Sequence, residues 1–181
     1  MATKSQQEEP NAVEMLRKDH EKVTQLFQDY ERASEADRES VATQIFKELE
    51  VHSTLEEEIF YPAVREQADT EDVVEEEIEE AEEDEEGDEE VIEDTEESED
   101  VIAVALEEHA AVKELIKQLR KLDQKSKDYQ ERFAELKEAV QDHVSEEEEV
   151  IFPAAQLNLD LEEIGQQMQQ RRIALVSSMA A

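Results

Sequence analysis

Two short stretches of the chain place a glutamate four residues after a histidine. They are His52-x-x-x-Glu56 and His143-x-x-x-Glu147. On a helix, residues four apart lie on one face with about 5–6 Å between their Cβ atoms, so each pair presents an imidazole beside a carboxylate. Imidazole nitrogens and carboxylate oxygens are both frequent metal ligands. Each stretch therefore predicts part of a metal site.

A further histidine stands upstream of each pair. His20 precedes the first pair and His109 precedes the second. The chain has 4 histidines, and each one has a counterpart in the other half. The pattern is thus an internal repeat, in which one histidine is followed by His-x-x-x-Glu. We therefore expect the two halves to build one site together.

The ligand types narrow the choice of metal. Four imidazoles and two carboxylates without sulfur suit iron, manganese or zinc. Six protein ligands are too many for one tetrahedral zinc ion, so two metal ions fit better. In each half the two histidines are predicted to bind one ion, and the glutamates of both halves to bridge the two ions. The predicted metal ligands are His20, His52, Glu56, His109, His143 and Glu147.

These ligands lie on the apolar stripes of four predicted helices, at positions three or four residues from apolar neighbours. The apolar members of the stripes are Val13, Leu16, Val23, Phe27 and Tyr30; Val41, Ile45, Leu49 and Ile59; Ile102, Leu106, Val112, Ile116 and Leu119; and Phe133, Leu136, Val140 and Ile151. Inward-facing carboxylates and imidazoles without partners would cost several kcal/mol per ion. Bound cations would offset that cost.

Capping residues and prolines mark the predicted helix ends. The predicted capping pairs are Asn11 with Glu14, Asp128 with Glu131, and Asp160 with Glu163. The first helix is predicted to run from Asn11 to about Ala33. Pro62 and Pro153 are predicted to end or bend the second and fourth helices, because proline lacks an amide donor and its ring clashes with the preceding turn.

The composition favours one helical domain. The chain has 181 residues with 2 glycines, 3 prolines and 38% hydrophobic residues, and its abundant straight side chains favour helix over sheet. We predict an all-α fold. Its predicted parts are a disordered N-terminus at 1–10, a first helical hairpin at 11–68, an acidic linker at 69–100, a second hairpin at 101–156 and a C-terminal helix at 157–181.

Residues 69–100 differ in charge from the rest of the chain, with 22 Asp or Glu residues and no Lys or Arg. Such a run repels itself and buries little, so we predict a solvated linker. The functional alternative is an electrostatic funnel for metal cations, or a docking strip for a basic protein partner.

Charge and composition exclude several other functions. The absence of cysteine excludes disulfides, thiolate metal sites and thiol catalysis. The formal net charge of −36 argues against nucleic acid or an anionic membrane as a partner. The N-terminus has no apolar signal region, and no run of about 18 apolar residues occurs. We therefore expect a cytoplasmic protein.

The whole motif set resembles one known family. The two His-x-x-x-Glu pairs, the two upstream histidines, and the Ile-Phe-Tyr-Pro62 and Ile-Phe-Pro153 segments are similar to the haemerythrin-like HHE cation-binding family over residues 11–156. The resemblance implies an up-and-down four-helix bundle around a carboxylate-bridged non-haem di-iron centre, to which the C-terminal helix adds a fifth element. Ferritin-like bundles instead carry Glu-x-x-His. Their spacing does not occur here, since the residues three before the histidines are Arg17, Leu49, Leu106 and Val140.

Two departures from the family bear on function. Oxygen-carrying haemerythrins have His-x-x-x-His on the third helix, and the first of those positions here is Ala105. The acidic segment at 69–100 is also absent from the carriers. We expect a protein that binds or senses O2 or nitric oxide, or buffers iron, rather than an enzyme. The alternatives are peroxidase- or oxidase-like chemistry at a coordination position left open by Ala105, or a role in iron-centre repair, although that branch of the family uses a cysteine-bearing segment.

Overall fold

A computed structural model of the chain describes residues 11–67 and 95–179, and all regular structure in these residues is helical. The predicted all-α class is therefore confirmed. The predicted disordered N-terminus at 1–10 and most of the predicted acidic linker lie outside the described residues. The described residues form two compact units. The first unit comprises residues 11–60 and 160–179, and the second unit comprises residues 61–67 and 95–159.

The first unit begins with a helical hairpin of α1 (Ala12–Arg32) and α2 (Arg38–Leu55). Asn11 caps α1, as predicted, and its side-chain oxygen accepts a hydrogen bond of 3.2 Å from the backbone N–H of Glu14. Such a bond satisfies one of the backbone donors that a helix start leaves unpaired. Four of the five apolar stripe residues of α1 are buried and Tyr30 is half-buried, and His20 is buried within the stripe.

The C-terminal helix, α7 (Leu161–Met179), completes the first unit. It starts where predicted, because Asp160 accepts a hydrogen bond of 3.0 Å from the backbone N–H of Glu163. The helix packs against α1 and α2 and buries Ile164 and Met168. The fifth helix is therefore a structural neighbour of the first two ligand-bearing helices.

The second unit contains four helices: α3 (residues 61–67), α4 (Thr95–Leu119), α5 (Lys127–Glu146) and α6 (Phe152–Asn158). The helix α4 begins at Thr95, inside the segment 69–100 for which a linker was predicted. The predicted cap of α5 was wrong. Ser126 caps that helix, accepting a hydrogen bond of 3.1 Å from the backbone N–H of Tyr129, and Asp128 lies within the first turn. Both residues suit a helix start, since a carboxylate in the first turn is favoured by the helix dipole.

The glutamate of each His-x-x-x-Glu pair is the first residue of a turn of π-helix. The turn π1 (Glu56–Phe60) joins α2 to α3, and π2 (Glu147–Ile151) joins α5 to α6. Pro62 and Pro153 were predicted to end or bend their helices, and neither ends one, because the chain stays helical through both prolines. A proline ring clashes with the carbonyl four residues earlier in a regular α-helix, and the wider π-turn relieves that clash.

The π-turn also changes which residue faces the core after Glu56. Ile59 was predicted on the apolar stripe, but it is half-exposed while Phe60 is fully buried. In the second half the corresponding Val150 is 48% exposed, and Ile151 and Phe152 are buried. Ile151 was predicted on the stripe, so in both halves the buried position is the fourth residue after the glutamate.

Across residues 11–67 and 95–179, no helix combines the length and the hydrophobicity that crossing a membrane requires.

Candidate metal centre

The first unit brings three predicted ligands together. His20 comes from α1, His52 from α2 and Glu56 from the start of π1, and all three are buried. The Nε2 atoms of His20 and His52 are 3.2 Å apart, and the Nε2 atom of His52 is 3.1 Å from Oε2 of Glu56. We call these residues the first triad. One ligand atom from each of them lies within 4.8 Å of the others.

The second unit repeats this arrangement. His109 comes from α4, His143 from α5 and Glu147 from the start of π2, and these side chains are likewise buried. The Nε2 atoms of the two histidines are 3.1 Å apart, and Nε2 of His143 is 4.0 Å from Oε2 of Glu147. We call these residues the second triad. The internal repeat of the sequence thus brings two histidines equally close in both units, while the distance from histidine to glutamate is longer in the second unit.

The distances within the first triad fit a shared metal ion. Two ligand atoms bound at right angles, each about 2.1 Å from one ion, lie about 3.0 Å apart, and ligands on opposite sides lie about 4.2 Å apart. The observed separations of 3.2 and 3.1 Å in the first triad match the first value. Those of the second triad, 3.1 and 4.0 Å, fall between the two values. The donor set, imidazole nitrogen with carboxylate oxygen, suits iron, manganese or zinc.

A carboxylate stands behind one histidine of each triad. Oε2 of Glu108 accepts a hydrogen bond of 2.9 Å from Nδ1 of His143. Oδ2 of Asp19 lies 3.6 Å from Nδ1 of His52, which is ion-pair distance. A carboxylate at Nδ1 fixes the ring orientation and leaves the Nε2 lone pair for a metal ion. The hydrogen bond to Glu108 thus orients the ring of His143, and Asp19 lies at ion-pair distance from the same atom of His52.

The first of these carboxylates is itself held by an arginine. Arg172 of α7 donates from Nη1 to Oδ1 of Asp19 at 2.7 Å and from Nη2 to Oδ2 at 2.5 Å. Burial raises the pKa of Asp19, but hydrogen bonding and attraction from His52 and Arg172 outweigh it and hold the pKa at about 2. Burial lowers the pKa of Arg172, and the contact with Asp19 more than reverses that effect. The pair is thus an ion pair at neutral pH.

Ala105 and Tyr61 lie near His109. Ala105 lies one turn before His109 on α4 and is buried, and its methyl group cannot bind a metal. The ring of Tyr61, at the start of α3, stacks on the imidazole of His109 with 5.6 Å between centroids and an interplanar angle of 24°. An aromatic ring therefore covers one face of this imidazole.

Sequence reasoning missed Asp19, Glu108, Arg172 and the stacking of Tyr61. A signal for the two carboxylates was present, because an acidic residue directly precedes the upstream histidine in both halves: Asp19 before His20 and Glu108 before His109. Both halves of the repeat carry the same dipeptide type. No local signal marks Arg172, which is 153 residues from its partner Asp19.

Comparison with known proteins agrees with this geometry. The family model described as Hemerythrin HHE cation binding domain matches residues 11–99 and 85–155. A solved structure of a Hemerythrin HHE cation binding domain-containing protein from Mycobacterium kansasii aligns with a TM-score of 0.65 and 24% sequence identity. That alignment covers 93% of this chain and 88% of that one. The likeness shows the fold, and the all-α, haemerythrin-like fold predicted for the chain is confirmed.

The chain is also similar to part of a longer protein. A protein named DNA nickase, from Nostoc sp. (strain PCC 7120 / SAG 25.82 / UTEX 2576), is 25% identical to this chain over 166 residues. The match covers 90% of this chain and 38% of the relative, so the chain spans about two fifths of the relative's length. The family match covers more than half of the chain, including both triads. The chain belongs to the Hemerythrin HHE cation binding domain family.

Proposed function

We propose that this chain binds two non-haem iron ions, one at each triad, and uses them to bind or sense O2 or nitric oxide, or to buffer iron. The observation that carries the proposal is the approach of histidine Nε2 atoms and a buried carboxylate in each unit, at separations of 3.1 to 4.0 Å. The family match adds cation binding as a shared property. Manganese and zinc suit the same donor atoms and are the competing metals.

The roles of the individual residues follow from their positions. In each triad the two imidazoles would hold one ion, with Asp19 beside Nδ1 of His52 and Glu108 beside Nδ1 of His143. The two glutamates would supply carboxylate ligands and the negative charge that balances the cations. Bound iron would supply an open coordination position and a change of oxidation state. The buried surroundings would keep bulk water away from the ions.

Metal analysis tests the metal part of this proposal. Metal-free full-length protein is loaded anaerobically with Fe(II), desalted, and analysed for iron and protein. We expect about two iron ions per chain, because each triad offers three ligands. His52→Ala and His143→Ala should each reduce the content to about one ion. One ion or none in the unmodified chain would contradict the proposal.

Ligand binding is tested separately. Nitric oxide added to the reduced, loaded protein should change its visible absorption and its electron paramagnetic resonance spectrum, and the change should be absent from the metal-free protein. The matched control is a His52→Ala, His143→Ala double variant treated in the same way. A loaded protein that takes up neither nitric oxide nor O2 would favour iron buffering over diatomic ligand binding.

The alternative function is an enzyme. The buried alanine at position 105, where oxygen carriers have a histidine, favours an exchangeable coordination position, and peroxidase- or oxidase-like turnover would use it. Catalytic consumption of hydrogen peroxide by the iron-loaded protein, with many turnovers per chain, would favour this alternative. A role in iron-centre repair would instead require that the loaded protein transfer iron to a metal-free acceptor.

A nucleic-acid function receives less support. The activity in the Nostoc relative's name belongs to that protein, of which this chain spans 38%. The formal net charge of −36 opposes binding to phosphates. We propose that the chain does not bind DNA on its own. Supercoiled plasmid incubated with the protein and Mg²⁺ or Mn²⁺ should remain closed, and conversion to nicked circles would contradict this.

A further inference from the structure

The two triads differ in what stands behind their histidines. Asp19, behind His52, is buried, with a side chain 9% exposed, and both of its oxygens accept hydrogen bonds from Arg172. Glu108, behind His143, is 28% exposed. Among the side chains that the structure describes, no lysine or arginine pairs with Glu108. The two triads therefore differ in whether an arginine holds the carboxylate that lies beside the histidine.

Arg172, Asp19 and His52 lie on three different helices. Asp19 is on α1, His52 is on α2 and Arg172 is on α7. The guanidinium group contacts Asp19 with two parallel hydrogen bonds, which fix the plane of the carboxylate as well as its position. Oδ2 of that carboxylate lies 3.6 Å from Nδ1 of His52, so its position sets the charge that faces this imidazole.

We propose that Arg172 is a positioning residue for the first triad, acting through Asp19 on His52, so that α7 sets the metal affinity of the first triad and leaves that of the second unchanged. This inference rests on the proposed metal binding. Carboxylates that orient metal-binding histidines commonly change metal affinity by about 10- to 100-fold when they are altered. A residue that fixes such a carboxylate should act in the same direction.

The neighbouring Arg171 provides a matched control. Its guanidinium donates from Nε and Nη2 to both oxygens of Glu58, at 2.5 and 2.8 Å. That pair also joins α7 to the rest of the first unit, but Glu58 is exposed and does not face a triad histidine. Arg171→Lys and Arg172→Lys therefore make the same chemical change, one residue apart, with and without a connection to His52. Both keep the positive charge and lose the two-pronged geometry.

The test is a Co²⁺ titration of metal-free full-length protein, followed by visible absorption in competition with a chelator. The binding step lost in His52→Ala belongs to the first triad, and the step lost in His143→Ala belongs to the second. We expect Arg172→Lys to weaken the first-triad step about tenfold and to leave the second within about twofold. Arg171→Lys should leave both steps within about twofold. Equal effects of the two lysine variants, or an unshifted first-triad step in Arg172→Lys, would overturn the inference.

A second variant guards against simple misfolding. Asp19→Asn keeps the size of the side chain and removes its charge, and it should also weaken the first-triad step. Because Arg172 acts through Asp19, the double variant with Asp19→Asn and Arg172→Lys should bind Co²⁺ no more weakly than Asp19→Asn alone. If the losses of affinity in the two single variants add up in the double variant, Arg172 does not act through Asp19. Unmodified protein that takes up no Co²⁺ would overturn the proposed function and this inference together, whereas normal uptake with an unshifted Arg172→Lys overturns this inference alone.

Discussion

Glu108 and His143 are joined by a hydrogen bond of 2.9 Å between Oε2 and Nδ1, across the two helices of the second hairpin. The bond connects a half-exposed carboxylate to a buried imidazole whose other nitrogen faces His109. An anionic acceptor at Nδ1 increases the electron density that Nε2 offers to a metal ion. The metal affinity of the second triad should therefore depend on the charge of Glu108, which is not one of the predicted ligands.

Neutralising Glu108 tests this dependence. Glu108→Gln should weaken metal binding at the second triad by about tenfold, because the amide is a poorer acceptor than the carboxylate. Co²⁺ titration measures the change. Glu107→Gln is the matched control, since Glu107 is the exposed neighbour and should have no effect. Equal losses in both variants would show that general surface charge, rather than the contact with His143, governs affinity.

The glutamates of the triads should differ sharply from their acidic neighbours. Glu56→Ala and Glu147→Ala are each expected to lower metal content, because both carboxylates are buried beside a triad histidine. Glu58→Ala should retain full metal content, because Glu58 is exposed and pairs with Arg171. Metal analysis after anaerobic loading with Fe(II) and desalting measures the difference. Comparable losses in all three variants would show that the acidic run as a whole, and not the triads, holds the metal.

The alanine at position 105 should influence oxidation of the loaded protein. With two histidines for each ion, both ions are expected to keep an exchangeable position, and we predict rapid oxidation of the reduced protein in air. Ala105→His should slow this oxidation, because the added imidazole would lie one turn from His109 on the same face of α4. Stopped-flow absorption after mixing with O2 measures the rate. An absorption change in the unmodified protein that persists and reverses on removal of O2 would contradict this prediction and identify a carrier.

The docking of α7 should contribute substantially to stability. Met168 is fully buried, and Met168→Ala should lower the free energy of unfolding by about 2–5 kcal/mol through lost contacts and a residual cavity. Urea denaturation of the metal-free protein, followed by circular dichroism, measures this. Met179→Ala removes the same side chain from an exposed position of the same helix and should change stability by at most about 0.5 kcal/mol. A small effect at position 168 would mean that α7 is loosely held.

The sequence was sufficient to predict the features that depend on local spacing. Residues His52 and Glu56 are one helical turn apart, so helical periodicity alone brings their side chains together. The repeat then identified the matching pair in the other half and the two upstream histidines. The capping of α1 by Asn11 also follows from a spacing of three residues.

Features that depend on contacts between distant segments were not predictable in the same way. The partner of Asp19 lies 153 residues away, and no periodicity links it to Arg172. Ser126 and Asp128 are both residue types that cap helices, and they are two residues apart. Sequence alone therefore does not decide between them, and the backbone geometry makes Ser126 the cap of α5. The error at Ile59 arose because residues three and four after Glu56 both fit a period of 3.6 residues, and only the folded turn decides that Phe60 is the buried one.

The two π-turns also bear on how related chains should be aligned. Each turn carries about one residue more than a regular α-turn, so each half of the chain contains the equivalent of a single-residue insertion directly after a triad glutamate. Deletion of one residue within such a turn would return the segment to regular pitch while keeping the facing of the residues on either side. Gaps of one position in homologous sequences are therefore expected next to Glu57 and Glu148. Such a gap does not by itself indicate that a related chain has lost the metal-binding residues.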